Sequence, residues 1–256
     1  MQAQSGGLKA EEGVWERYAP LFCFEEREVF TPDIPELEFY RNIRRRFSGS
    51  CVELGAGDGR LTRHLAEGDL TVALEPSAAM LAAWRGGDAF RVRGVAQRIP
   101  LRRGSMELVL FPYNGIHCIL RRSERRRALK EAAELLAPRG VFLAEACPQF
   151  LDREDEELAE RYGWTGGGKS LRLVESVSHD GRNCRIVFDM VYTGSVVPEG
   201  RTEVRLELAL ISAGELLSDI RSSGMRVLSV WGDYDLSPWD GDSSPRLLVM
   251  AGRLSS

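Results

Sequence analysis

One short stretch decides the fold, and it reads CVELGAGDGR over residues 51–60. Its first four residues are mostly apolar, which is typical of a short buried strand, and three glycines follow at alternate positions. Glycine permits positive φ angles and lets a ligand lie directly against the main chain. A helix predicted to begin near Arg60 would direct its free N–H groups and positive dipole end at that ligand. The pattern predicts a nucleoside-cofactor turn at the carboxyl edge of a parallel sheet.

Details of the turn separate the possible cofactors. A dinucleotide fingerprint, Gly-x-Gly-x-x-Gly, needs its third glycine at position 60, and this chain has Arg60 there. The turn instead carries an acid, Glu53, two residues before Gly55. A carboxylate at that position suits a positively charged ligand group and repels a pyrophosphate. The alternative is a glycine-rich surface turn without a ligand, which the agreement of strand, turn and helix disfavours.

Length and charge limit the function classes. The chain has 256 residues, enough for one large α/β domain or two small ones. Its net charge of −4 gives no bulk attraction to nucleic acid or to an anionic membrane. No apolar run is long enough to span a bilayer, and no secretory signal pattern begins the sequence. We expect a cytoplasmic protein, monomeric or homodimeric, without a membrane or nucleic-acid partner.

The cysteines and histidines indicate neither a disulfide framework nor a metal site. The five cysteines are scattered, and none forms a Cys-x-x-Cys pair. The three histidines are far apart in the sequence, so a site with several histidine ligands is not expected. Both observations agree with a reducing cytoplasm and with no bound metal.

Strand and helix patterns alternate through the first part of the chain. Strands are predicted over residues 51–54, 70–74, 89–93, 106–111 and 141–146, with helical patterns between them. This alternation argues for a parallel sheet. The second strand ends on Glu75, twenty residues after Gly55, where nucleoside-binding folds place an acid that accepts hydrogen bonds from ribose hydroxyls.

The period changes in the last third of the chain. Residues 152–161 are acidic and suggest a helix, whereas three later segments alternate at period two and predict an antiparallel meander: 171–178, 184–193 and 204–210. A helix and two final strands follow. We expect a single domain over residues 1–256, in which residues 1–12 form a polar tail. Its parts would be a helical segment at about 13–35, a core at about 36–150 and 211–254, and a lid insertion at about 151–210.

Four motifs, in order and at the expected spacing, carry a family resemblance. They are VELGAGDGR (52–60), LEPSAAML (74–81), SMELVLFPYNGIHCIL (105–120) and APRGVFLAEA (137–146). Together they resemble class I S-adenosylmethionine-dependent methyltransferases, in particular small-molecule members in which an added sheet covers the active site. The resemblance implies an α/β fold, with a Rossmann-like seven-stranded methyltransferase sheet and an inserted antiparallel β meander.

The same resemblance implies an enzyme that uses S-adenosyl-L-methionine. It would transfer a methyl group to an oxygen or nitrogen of a small-molecule acceptor. The alternatives are a methyltransferase that acts on RNA or protein, and a protein that binds S-adenosylmethionine without catalysis.

Site residues follow from the resemblance. Glu53 and the glycines would line the methionine part of the cofactor, Glu75 would hold the ribose, and Ala96 and Gln97 would flank the adenine. At Gln97 many members have an acid. The candidate cofactor-binding residues are Glu53, Gly55, Ala56, Gly57, Gly59, Glu75, Pro76, Met80, Ala96, Gln97, Phe111 and Tyr113. The candidate acceptor contacts are Asn114, Tyr162, Trp164, Tyr234 and Trp239.

His117 follows the fourth predicted strand, at the edge where such sheets carry their catalytic residues. Many family members have a histidine in this segment. An imidazole is well suited to accept a proton at neutral pH. The candidate roles of His117 are a catalytic base or a residue that positions the substrate or packs.

Two further patterns could each indicate a binding site or a purely structural feature. Residues 163–170 match the letters of a P-loop, Gly-x4-Gly-Lys-Ser, but lack its strand–loop–helix context, and a flexible glycine hinge leading into the lid is expected instead. A basic cluster, which comprises Arg121, Arg122, Arg125, Arg126, Arg127 and Lys130, is either a solvated helix face or a surface for an acidic substrate or RNA.

Overall fold

The computed structural model describes residues 5–66, 70–84 and 87–253, with side chains from residue 13 onward. The α-helices are α1 (Ser5–Phe24), α2 (Ile34–Arg46), α3 (Thr62–Leu65), α4 (Ala78–Ala82), α5 (Arg122–Leu135) and α6 (Ala213–Ser222). The strands are β1 (Cys51–Leu54), β2 (Thr71–Glu75), β3 (Phe90–Arg93), β4 (Met106–Phe111), β5 (Leu136–Ala146), β6 (Glu156–Gly166), β7 (Lys169–Asp180), β8 (Arg185–Thr193), β9 (Arg201–Ala209), β10 (Met225–Trp231) and β11 (Leu247–Arg253).

Seven strands form one sheet in the order β10-β11-β5-β4-β1-β2-β3. Strands β1 to β5 pair in parallel, and β11 pairs antiparallel with both β5 and β10. The organising strand β1 lies between β4 and β2, and its residues are all buried. The remaining four strands form a separate antiparallel sheet, β6-β7-β8-β9, which we call the lid sheet. The predicted α/β class, seven-stranded sheet and antiparallel insertion are confirmed.

Helices cover both faces of the seven-stranded sheet, as its side-chain alternation requires. On β4, Val109 belongs to the core cluster under α5 and α6, whereas Leu108 and Leu110 belong to the cluster under α2 and α3. Helices α3 and α4 contain only four and five residues, so the helices after the two cofactor turns are shorter than the sequence suggested. No helix among the described residues is long and apolar enough to cross a membrane.

The prediction of a helix over residues 152–161 is wrong, because most of this stretch belongs to β6, the first strand of the lid sheet. Some of its charged residues pair across strands. Arg161 Nε lies 3.0 Å from Glu175, and Arg172 Nη2 lies 2.7 Å from Glu160. Cross-strand pairs of opposite charge stabilise an antiparallel sheet, and a local pattern does not reveal them. The lid sheet therefore has four strands instead of three.

The P-loop look-alike forms a β-hairpin. Gly167 and Gly168 make the turn between β6 and β7 with φ angles of 56° and 74°. On either side of it Thr165 pairs with Ser170 in an antiparallel register. No helix begins there, so this segment lacks the geometry of a phosphate-binding loop.

The N-terminal residues form a long helix rather than a polar tail. Helix α1 begins at Ser5, while the first four residues of the predicted tail lie outside the described part of the chain. A π-helical segment, Glu25–Val29, continues α1 directly. We call α1 and this segment the N-terminal cover. Tyr18 and Leu21 of the cover share a hydrophobic cluster with the lid sheet, so the cover and the lid sheet pack together.

Candidate active site

A cavity of about 180 Å³ opens at the carboxyl ends of β1 to β4. All the predicted cofactor-binding residues except Gly59 line it. The N-terminal cover supplies a further wall through Trp15 and Phe22, which the sequence did not place at the site. The glycine turn also contributes Asp58 and Arg60. The roles of these residues stay predictions, but the structure brings them together around one space.

The glycines of the turn have different functions. Gly55 and Gly57 have φ angles of 70° and 57°, and both line the cavity. A Cβ atom built on Gly57 would lie 4.0 Å from the nearest described atom, the Met80 sulfur, so nothing but the cavity faces this position. A Cβ atom on Gly59 would instead lie 2.1 Å from the Trp84 ring. Gly55 and Gly57 therefore leave room for a ligand, whereas Gly59 leaves room for a tryptophan.

Glu75 is held in one orientation by the main chain. Its Oε2 accepts the Gly57 N–H at 2.9 Å, and its Oε1 accepts the Ser77 N–H at 2.8 Å. Burial raises the pKa of this carboxyl group, and the two backbone hydrogen bonds oppose that shift. Each carboxylate oxygen has a second lone pair, so the group can still accept hydrogen bonds from ribose hydroxyls in the cavity.

Glu53 is buried beneath the turn, and its hydrogen bond only partly offsets the loss of hydration of its carboxyl group. It is 3% exposed and accepts a short hydrogen bond from the Thr62 hydroxyl. Burial raises the pKa of Glu53 to about 8. A cationic ligand group nearby would favour the ionised form and lower this pKa. The site therefore suits a ligand that carries a positive charge at the Glu53 end.

Arg60 is anchored by acids from two other elements. Its guanidinium donates two hydrogen bonds to Glu36 at 2.6 and 2.7 Å and lies 3.3 Å from Glu26 of the N-terminal cover. The same group lies 4.7 Å from the ring centroid of Tyr113. The Tyr113 hydroxyl donates to Glu26 at 3.2 Å. The arginine that breaks the dinucleotide fingerprint thus joins the glycine turn to the cover and to the loop after β4.

His117 does not line the cavity. It is fully buried, with Nδ1 2.7 Å from the Ala209 carbonyl oxygen and Nε2 3.1 Å from the Cys147 nitrogen. A carbonyl only accepts and an N–H only donates, so Nδ1 carries the proton and Nε2 accepts. Burial lowers the pKa of His117 to about 4. Of the two roles considered, this geometry favours packing over a catalytic base.

The predicted acceptor contacts do not share one location. Asn114 lies between two cavity-lining residues, Tyr113 and Gly115. Its Oδ1 is buried and has no hydrogen-bond partner among the described residues. Such an orphaned acceptor atom carries a free-energy cost unless a ligand supplies a donor.

The other four predicted contacts pack against protein. Tyr162 donates to Glu25 of the N-terminal cover, and the Trp164 ring lies 5.2 Å from that of Phe24. Tyr234 donates to the buried carboxylate of Glu145, and Trp239 packs against the main core. None of these four, and not Asn114 either, is among the residues that line the described cavity. Their role as acceptor contacts stays a prediction.

The central part of the chain matches a known protein family. Residues 52–144 match the family model described as a methyltransferase domain. No curated protein matches the sequence at a significant level.

Several solved structures share the fold. The CcbJ methyltransferase of Streptomyces caelestis is 18% identical with a TM-score of 0.78, over 96% of this chain and 99% of that one. The sugar N-methyltransferase KedS8 of a Streptoalloteichus species is 20% identical with a TM-score of 0.74, over 92% of each chain. The S-adenosylmethionine-bound amino pentose methyltransferase CalS10 of Micromonospora echinaspora is 18% identical with a TM-score of 0.68, over 91% of this chain and 95% of that one.

Proposed function

We propose that this chain methylates an oxygen or nitrogen of a small-molecule acceptor. It is a class I S-adenosyl-L-methionine-dependent methyltransferase, and its residues 52–144 match the methyltransferase domain family. The predicted family, enzyme class and cofactor are confirmed by the family match together with the fold. The main support for a small-molecule acceptor is that the N-terminal cover forms one wall of the cavity.

The cover is fastened to both cofactor-binding turns. The Glu16 carboxylate accepts the N–H groups of Ala78 and Ala79, at the start of α4, at 2.7 and 3.0 Å. Trp15 and Phe22 of the same helix line the cavity. With the lid sheet packed behind the cover, a bulky polymer has less access than a small molecule. This enclosure supports a small acceptor and a site from which water is excluded during transfer.

The arginine cluster on α5 gives little support to an RNA acceptor. Arg122 forms two hydrogen bonds with Asp219 of α6, at 2.9 and 3.0 Å. Arg125 Nη2 lies 2.7 Å from Glu215, and Arg126 Nε lies 3.7 Å from Asp219. Guanidinium groups already paired with carboxylates are poor phosphate ligands unless those pairs break. Three of the six basic residues therefore contact the neighbouring helix, whereas Arg121, Arg127 and Lys130 are exposed, as in a solvated helix face.

The chain's own residues hold and align the reactants. When bound, S-adenosyl-L-methionine supplies an electrophilic methyl group on a sulfonium centre. Gly55 and Gly57 leave the space for it, Glu53 faces its cationic end, and Glu75 holds its ribose. Correct alignment of two reactants contributes about 7–11 kcal/mol to lowering a barrier. Alignment and exclusion of water are therefore the main contributions that we assign to the protein.

Asn114 is the residue that we assign to the acceptor. Its unpartnered Oδ1 accepts a hydrogen bond, so the acceptor group that it binds carries an N–H or O–H. This agrees with methylation at nitrogen or oxygen. Two of the solved structures with this fold are described as a sugar N-methyltransferase and an amino pentose methyltransferase, so amino sugars are the first acceptors to test.

The test has two stages. Calorimetry with S-adenosylhomocysteine measures cofactor binding, and ATP and NAD serve as controls that should show little affinity. Mass spectrometry then follows methyl transfer to a panel of amino sugars, hydroxylated metabolites, bulk RNA and a protein mixture. Methylation confined to RNA or protein would overturn the small-molecule acceptor, and cofactor binding without any transfer would favour the non-catalytic alternative.

A further inference from the structure

A further buried carboxylate, that of Glu145, lies near the end of β5 and has no role in the proposed function. It is 3% exposed, and three groups donate to it. Its Oε2 accepts the Tyr40 hydroxyl at 2.9 Å and the Tyr113 N–H at 3.1 Å, and its Oε1 accepts the Tyr234 hydroxyl at 3.0 Å. The Arg246 guanidinium supplies the nearest described cation, 3.8 Å from Oε1. The two hydroxyls come from packed core residues, whereas the N–H comes from the loop that lines the cavity.

That loop contains two consecutive residues in a conformation that L-amino acids disfavour. Tyr113 and Asn114 have φ angles of 49° and 58°. Neither residue is glycine, and left-handed conformations at such positions persist only where surrounding contacts enforce them. Within the turn, the Gly115 N–H bonds to the Pro112 oxygen at 3.0 Å. The Tyr113 N–H bonds instead to Glu145, which ties the turn to the neighbouring strand.

The turn carries one residue that lines the cavity and, next to it, the residue that we assign to the acceptor. Tyr113 lines the cavity, and its ring lies beside Arg60 of the glycine turn. Asn114 holds the orphaned Oδ1 described above. An error in the position of this turn would displace both groups at once. The hydrogen bond with Glu145 therefore acts on the positions of Tyr113 and Asn114, although Glu145 itself does not line the cavity.

We propose that Glu145 is a positioning residue of the methyl-transfer site, holding the left-handed Tyr113–Asn114 turn through the Tyr113 N–H. The inference rests on the proposed function, since it assumes that the cavity binds the cofactor. Removing the carboxylate would free the turn, move the Tyr113 ring from the cavity wall and weaken cofactor binding. Glutamine at position 145 keeps one oxygen for the Tyr113 N–H, and the Tyr234 hydroxyl can rotate to accept from its amide.

The experiment compares Glu145→Met, Glu145→Gln and Tyr40→Phe with the parent chain, using S-adenosylhomocysteine as the probe. Glu145→Met should raise its dissociation constant about tenfold, which corresponds to about 1.4 kcal/mol. Glu145→Gln should restore it to within about threefold. Tyr40→Phe removes a hydrogen bond from the same carboxylate but leaves the turn bonded, so it should lower the melting temperature without changing affinity.

Amide hydrogen exchange gives an independent measure of the turn. In Glu145→Met the peptide that covers residues 111–118 should exchange about tenfold faster, while β1 keeps its protection. Where Glu145→Met does not fold, an ester at the Tyr113 nitrogen removes that N–H and should have the same two effects; it also weakens the Pro112 carbonyl as an acceptor for the Gly115 N–H.

Three outcomes would overturn the inference. They are unchanged exchange in the turn, unchanged affinity in Glu145→Met or the ester, and an equal loss of affinity in Tyr40→Phe. A parent chain that fails to bind S-adenosylhomocysteine would contradict the proposed function instead.

Discussion

The Arg27 guanidinium lies 2.6 Å from the Asp58 carboxylate and so joins the π-helical segment to the glycine turn. The same Nη2 donates to the Ala83 oxygen at the end of α4, at 2.8 Å. Asp58 is 3% exposed, so this pair is shielded from solvent on one side. π-Helical segments occur frequently at functional sites. One cation therefore holds the cover against the elements that follow both β1 and β2.

The first prediction concerns cofactor release. Arg27→Met should accelerate the dissociation of S-adenosylhomocysteine about tenfold, because a hydrogen bond to a charged group contributes about 1.5–3 kcal/mol to the closed arrangement. Stopped-flow displacement measures the rate.

The matched control is Arg201→Met, which removes an exposed lid-sheet pair with Glu203 and should leave the rate unchanged. Equal rates in the parent chain and Arg27→Met would show that the cover does not limit release.

The second prediction separates ligand space from backbone strain. Gly57 and Gly104 both have positive φ angles, 57° and 68°, and no described atom crowds a Cβ at either position. Alanine at each should therefore lower the free energy of unfolding by a similar amount, about 1–2 kcal/mol. Only Gly57→Ala should abolish S-adenosylhomocysteine binding, because only its Cβ enters the cavity. Calorimetry and urea unfolding test both statements, and full binding by Gly57→Ala would contradict the assignment of the turn.

The third prediction is proton release from Glu53. The pKa of this group in the free protein is about 8, so at pH 7 most molecules carry the proton. Binding of a cofactor with a cationic amino group should lower the pKa and release up to one proton. Calorimetry of S-adenosylhomocysteine binding in buffers of different ionisation enthalpy measures this release. Glu53→Gln should bind with none, and proton uptake by the parent chain would contradict the proposed position of the cationic group.

The fourth prediction concerns pH and His117. Its folded-state pKa of about 4 lies below the unfolded value of about 6.5, so the unfolded chain binds more protons between these values. The stability that neutral His117 contributes is therefore present above pH 6.5 and is lost as the pH falls towards 4. The loss between pH 7 and 4.5 should be on the order of 2–3 kcal/mol.

Urea unfolding of the parent and His117→Gln should converge over that range, and a constant difference would contradict the prediction. The buried position also predicts that His117 adds no ionisation to the pH–rate profile between about pH 6 and 8. A catalytic ionisation lost in His117→Gln would restore the role of base.

Local patterns determined much of this protein. The glycine turn, the acid at Glu75 and the alternation of strands and helices depend on interactions between near neighbours in the chain. Such interactions restrict backbone angles and set the period of apolar residues, so they can be recognised without coordinates. They were sufficient for the parallel sheet and the inserted meander. The motifs among them carried the resemblance that implied the enzyme class and the cofactor. Of the candidate cofactor residues that the resemblance implied, all but Gly59 line a single cavity.

Contacts between distant residues were decided only by the tertiary structure. No local pattern indicated that Trp15 would line the same cavity as residues some forty positions later. Nor did any pattern indicate that residues 152–161 would pair with the strand on the other side of a hairpin turn. The sequence placed His117 at the catalytic edge but could not reveal the Ala209 and Cys147 main-chain groups that occupy both ring nitrogens. Burial and hydrogen-bond partners depend on which elements meet in space. The charged residues of 152–161 could form ion pairs either along a helix or across strands. The sheet partner selected between these two.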